Sequence, residues 1–71
     1  MVDALHVRDL LARLTPDHRT ALTLRYLDGL PVPDVASTLG RSVHATESLL
    51  VRARAAYRDL AEHRPSEGSH S

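Results

Sequence analysis

Histidine, serine and acidic residues are the side chains of this sequence that could coordinate a metal or form a nucleophile with its base. Cysteine is absent, and the five histidines show no metal-ligand spacing within one helix. They are His6, His18, His44, His63 and His70. Ser, His and Asp occur, but without a nucleophile elbow, a glycine-rich phosphate loop or a paired-carboxylate pattern. We therefore expect no metal site, no cofactor and no catalytic residues.

Arginine is the other residue type whose side chain could bind a ligand. All nine basic residues are arginine, and nine acidic residues bring the net charge to zero. The planar guanidinium group suits phosphates and guanine edges. Zero net charge, in contrast, argues against a surface that binds nucleic acid by charge alone. Because arginine outnumbers the acidic residues only within 41–64, the later part of the chain is where an anion would bind.

The composition predicts a small all-α domain. Hydrophobic residues make up 42% of the 71 residues, carried mainly by Leu and Ala, with two Tyr and no Phe or Trp. No alternating β-branched run indicates a strand. No apolar run approaches the roughly 20 residues that span a bilayer, and no signal peptide is recognisable. We expect a cytoplasmic bundle of about four helices that contains a helix-turn-helix.

Apolar spacing and capping residues locate the first two helices. Residues 3–14 have apolar side chains at helical spacing, which predicts the first helix. Thr15 can cap a second helix with Pro16 at its first position. That helix should run to about Asp28 and end at Gly29. Its apolar residues lie on more than one side, which is typical of a central helix.

Two further helices follow. A short one is predicted from about Pro33 to Leu39, ended by Gly40, and a long one from about Val43 to His63, capped by Ser42. The domain should span 1–64, and we expect 65–71 to be a disordered tail. The short helix, the tight turn and the long helix form a helix-turn-helix candidate. A three-helix bundle with no nucleic-acid role is the alternative.

The long helix has two distinct faces. The predicted core side carries Thr46, Leu50, Ala53, Tyr57 and Leu60. The opposite face carries His44, Ser48, Val51 and Ala55, flanked by Ala45, Glu47 and Arg52. Small residues let a backbone approach the floor of the major groove, and a capped helix start can receive a phosphate. The predicted DNA-binding residues are Arg41, Ser42, His44, Ala45, Glu47, Ser48, Val51 and Arg52.

A longer pattern runs from Leu14 to Leu60. It comprises Arg19, Tyr26-Leu27-Asp28-Gly29-Leu30, Val35-Ala36, Leu39-Gly40, Ser42, Arg52-Ala53-Arg54 and Tyr57-Arg58-Asp59-Leu60. In these motifs and their spacing the chain resembles region 4 of bacterial sigma factors, most of all the extracytoplasmic-function group. The resemblance covers about two-thirds of the chain.

The resemblance implies a function without catalysis. The last helix would bind the promoter −35 element, as double-stranded DNA, in the major groove. The first two helices would hold the flap of the RNA polymerase β subunit, and an anti-sigma factor could occlude either surface. A sigma factor also needs a −10-binding domain, for which 71 residues leave no room. We therefore expect the chain to be a domain of a longer protein.

Some positions depart from the family pattern. Pro31 replaces a capping serine, and Glu47 and Leu49 replace positions that are usually basic. Glu47 could accept from cytosine N4 and so change the sequence preference, and Leu49 could extend the core or meet a partner. The alternative function is a sigma-like protein-interaction domain, binding anti-sigma factor or polymerase, with reduced DNA binding.

Four arginines have different predicted roles. Arg52 is the best candidate for a phosphate or base contact, because its face and its family position agree. Arg19 should brace helices rather than touch DNA. Arg54 and Arg58 could contact the DNA backbone or remain solvated, and Arg58 could pair with Glu62.

Overall fold

The structure, a computed structural model, describes residues 4–62 and consists of four helices over that range. They are α1 (Ala4–Ala12), α2 (Pro16–Leu22, continued as a π-helix over Thr23–Leu27), α3 (Val32–Leu39) and α4 (Val43–Glu62). This confirms the all-α prediction of about four helices. The predicted tail, 65–71, and the last turn predicted for the long helix lie outside the described residues.

The first helix ends earlier than the apolar pattern predicts. Arg13 and Leu14 form a tight turn, in which their backbone N–H groups donate to Leu10 and Leu11 three residues back. Thr15 is extended, with φ −61° and ψ 156°. Pro16 accounts for the extended Thr15, because a proline disfavours helical conformation in the residue before it. Leu14 is nevertheless buried, so the turn still contributes to the core.

The second helix begins and ends close to the predicted residues, but its last part is a π-helix. Thr15 occupies the N-cap position and Pro16 begins the helix, but the Thr15 side chain makes no capping hydrogen bond. From Thr23 the backbone widens into a π-helix, and the N–H of Asp28 donates to the Thr23 carbonyl at 2.9 Å. Gly29 then takes a φ of +74°, the left-handed conformation that ends the helix.

The core lies where α1, α2 and α3 pack against α4. α4 contributes Leu49, Leu50 and Ala53, and α2 contributes Ala21 and Leu22. Leu49, one of the departures from the family pattern, is therefore a packing residue. Tyr57 and Leu60 are only partly buried and pack against this cluster. Because α4 contacts all three other helices, its orientation fixes which of its residues face solvent.

The prediction that the second helix is buried on several sides is wrong at its C-terminal end. Tyr26 is 51% exposed and Leu27 is 55% exposed. Both residues lie in the π-helix. The short α3 begins at Val32 with Pro31 as its cap, and Val35 and Ala36 are buried.

Candidate nucleic-acid interface

The junction between α3 and α4 is a tight turn with a defined cap on each side. Gly40 has a φ of +70°, and the backbone N–H of Arg41 donates to the Ala36 carbonyl at 2.9 Å, which closes α3. The Ser42 hydroxyl accepts from the backbone N–H of Ala45 at 3.0 Å, which starts α4. Both capping predictions are confirmed, and the three elements form the helix-turn-helix arrangement.

The face of α4 opposite the core is open to solvent. His44, Glu47, Ser48, Val51, Arg52 and Ala55 are all exposed, whereas Ala45 is half-buried. Thr46 and Leu50 on the other side are buried. The sequence therefore predicts the two faces of α4 correctly. We call the residues at 44, 47, 48, 51, 52 and 55 the outer face.

The charged side chains of the outer face are available to a ligand. Within residues 4–62, Glu47 and Arg52 form no side-chain hydrogen bond and no ion pair. A carboxylate is an acceptor only, and a guanidinium is a donor only. On the outer face, Glu47 therefore offers hydrogen-bond acceptors and Arg52 offers several donors, with Ser48 and Val51 between them. Such an arrangement of donors and acceptors can distinguish one base edge from another.

Arg41, in the turn before α4, is partly engaged. Its guanidinium donates to a carboxylate oxygen of Asp17 at 2.8 Å, which joins the turn to the start of α2. Both side chains remain accessible, so the other guanidinium N–H groups of Arg41 can still reach an anion. The sequence gives no local sign of this pair because 24 residues separate the partners.

Three other arginines lie outside the outer face and outside the turn before α4. The Arg19 guanidinium points at the α1–α2 junction, with carbonyl oxygens of Ala12 and Leu14 at 3.5 Å and 3.4 Å, as the bracing prediction expects. Arg54 donates to the Tyr26 hydroxyl at 2.6 Å. Arg58 and Glu62, which the sequence allows as a pair, form no ion pair with each other in the described structure.

A second surface lies between α1, the π-helix and the C-terminal half of α4. It is an open groove of about 560 Å³ with a mainly apolar lining. Its lining includes Val7, Leu11, Leu22, Tyr26, Leu27 and Tyr57, with Arg54 and Arg58 among its charged residues. Sequence reasoning missed this groove, although Tyr26 and Leu27 on the outside of the apolar second helix were its signal.

No group of three or more His, Asp or Glu side chains in 4–62 is arranged to hold a metal ion. In the same range, no helix has the length and apolar character needed to cross a membrane.

The capped turn and the exposed face of α4 define a small helix-turn-helix domain. In a comparison with protein families, the family model described as "Sigma-70, region 4" matches residues 5–56. The chain therefore belongs to the sigma-70 region 4 family. Domains of this family are DNA-binding regulatory parts of sigma factors. No curated protein and no solved structure matches the chain. The family predicted from the sequence is confirmed, and membership of the extracytoplasmic-function group stays a prediction.

Proposed function

We propose that this chain is the cytoplasmic sigma-factor domain that binds the −35 element of promoter DNA in a sequence-specific way. The observation that carries the proposal is the outer face of α4. It follows a capped helix-turn-helix junction, it is exposed along its length, and its Glu47 and Arg52 have no partner within the described residues. In helix-turn-helix proteins the second helix lies in the major groove, with its N-terminal residues at the base edges.

Each predicted site residue has a role in this arrangement. His44, Glu47, Ser48 and Val51 face the base edges, and the half-buried Ala45 leaves room for the DNA backbone. Arg52 is placed to reach a phosphate or a guanine. Arg41 and the capped start of α4 at Ser42 would meet a phosphate, because the first backbone N–H groups of a helix lack carbonyl partners.

Polymerase docking is the second part of the proposal. The apolar groove is formed by the first two helices together with the C-terminal half of α4, and the family resemblance locates contact with the β flap on the first two helices. Tyr26 and Leu27 in its lining are exposed and could contact a partner. An anti-sigma factor could compete for either surface. With a net charge of zero and a single helix at the DNA, we expect the isolated domain to bind weakly, at about 10⁻⁴–10⁻⁶ M or little better. Attachment to polymerase would raise its effective concentration at the promoter.

The test is the salt dependence of binding to a promoter duplex, measured by fluorescence anisotropy. Arg52→Ala should weaken binding, and the slope of log K against log salt should fall by about 0.9 if the lost contact is to a phosphate. Arg8→Ala is the matched control, since it removes an equal charge from an exposed position on α1. If Arg52→Ala behaves like Arg8→Ala at every salt concentration, Arg52 does not contact the DNA.

The alternative is a sigma-like protein-interaction domain with reduced DNA binding. Zero net charge and the carboxylate of Glu47 on the outer face favour it. Glu47→Arg distinguishes the two functions. If Glu47 accepts from a base, the reversal changes which duplex is preferred. If the outer face does not bind DNA specifically, the reversal adds only non-specific affinity.

A further inference from the structure

Val51 is the most exposed large hydrophobic residue that the apolar groove does not use. It is 57% exposed, and it is absent from the groove lining. A single exposed valine on a protein surface normally needs no explanation. Val51 differs in its place, because it lies near the centre of the outer face, one helical turn after Glu47 and directly before Arg52.

The major groove offers one apolar group that such a side chain can recognise. Among the four bases, only thymine carries a methyl group there, at C5. The methyl groups of Val51 are exposed to water in the free protein, so contact with the thymine methyl would remove apolar surface from water on both sides. Polar base edges offer Val51 no comparable gain.

Glu47 adds a second constraint. A carboxylate needs a donor, and the major groove supplies one at cytosine N4 and one at adenine N6. The adenine donor lies beside the N7 acceptor, which repels a carboxylate, so cytosine is favoured. Residues four apart on a helix are separated by about 6 Å along its axis. Successive bases rise by about 3.4 Å, so the two side chains reach bases one or two pairs apart.

Resting on the proposed function, we propose that Val51 and Glu47 are specificity-determining residues. Val51 reads a thymine methyl, and Glu47 reads a cytosine one or two base pairs away. The recognised duplex must then contain a T·A pair and a C·G pair at that spacing, whichever strand carries each.

The first experiment selects duplexes from a random library with the full chain at low salt. We expect an enriched site that contains both pairs. The selected duplex is then synthesised with deoxyuridine at the thymine, which removes only the methyl group. Burial of one methyl group corresponds to about fourfold in affinity. Wild-type protein should lose about that factor, Val51→Ala should show no difference between the two duplexes, and the exposed-valine control Val43→Ala should keep the wild-type loss.

The cytosine contact is tested in the same way. N4-methylcytosine replaces the N–H that faces the major groove, so it should weaken binding by wild-type protein and leave binding by Glu47→Ala unchanged. The proposal is overturned if deoxyuridine has no effect, or if its effect persists in Val51→Ala. It is equally overturned if N4-methylcytosine weakens both proteins alike. If the library yields no enriched sequence, the proposed function itself fails and the inference fails with it.

Discussion

A hydroxyl group in the core of α4 gives the sharpest prediction about stability. Thr46 is 0% exposed, and its Oγ1 is a buried side-chain atom with no hydrogen-bond partner in the described structure. A buried polar group without a partner costs about 1–3 kcal/mol, because its hydration is lost and not replaced. Valine has the same shape and no hydroxyl. Thr46→Val should therefore raise the free energy of unfolding by about 1–2 kcal/mol.

Urea unfolding followed by far-UV circular dichroism measures this change. The midpoint should rise while the m-value stays constant, since the surface exposed on unfolding is unchanged. In a domain of this size the melting temperature should rise by about 4–8 °C for each kcal/mol. Thr46 faces the core, so affinity for DNA should not change.

Thr38→Val is the matched control. The Thr38 hydroxyl is exposed and donates to the Asp34 carbonyl at 2.9 Å, so its replacement should change stability by no more than about 0.5 kcal/mol. If Thr46→Val is no more stable than the wild-type protein, the reasoning is refuted. In that case the Thr46 hydroxyl must find an acceptor in solution, such as the carbonyl four residues before it, at Ser42.

Three further predictions concern the turn before α4. Ser42→Ala should lower the free energy of unfolding by about 1 kcal/mol, measured by urea unfolding, because it removes the N-cap acceptor. Gly40→Ala should cost a similar amount, about 1 kcal/mol in the same assay, since the φ of +70° strains any residue with a Cβ even though no atom lies within 4 Å of that position. Asp17 and Arg41 should couple by less than about 1 kcal/mol in a double-mutant cycle, and the coupling should fall at high salt, because the pair is exposed.

The sequence predicts the helix-turn-helix well because its boundaries depend on local chemistry. Gly40 and Ser42 act through their own backbone and side chain, so their effects can be predicted without knowledge of the rest of the fold. The same holds for the outer face, since the periodicity of α4 alone separates Thr46 and Leu50 from Glu47 and Val51. These are the parts of the candidate site that needed no tertiary information.

The parts that the sequence did not predict depend on distant contacts. Arg41 meets Asp17 across 24 residues, and Arg54 meets the Tyr26 hydroxyl across 28. Such pairs exist only once α2 has packed on α4. The π-helix is a second case: no glycine or proline in 23–27 marks the extra width, and nothing in the structure explains why the backbone adopts it there. Tyr26 and Leu27, which line the groove, both lie in this π-helix.

Under the proposed function, both binding surfaces include residues of the single helix α4. The outer face occupies residues 44–55, whereas the groove begins at Arg54 and continues to Glu62. A helix of 20 residues is about 30 Å long, so the two surfaces lie largely end to end along it. Promoter DNA at one half would therefore leave the other half free for polymerase. That separation matters because a chain with no net charge and a single helix at the DNA gains from a partner that brings it to the promoter.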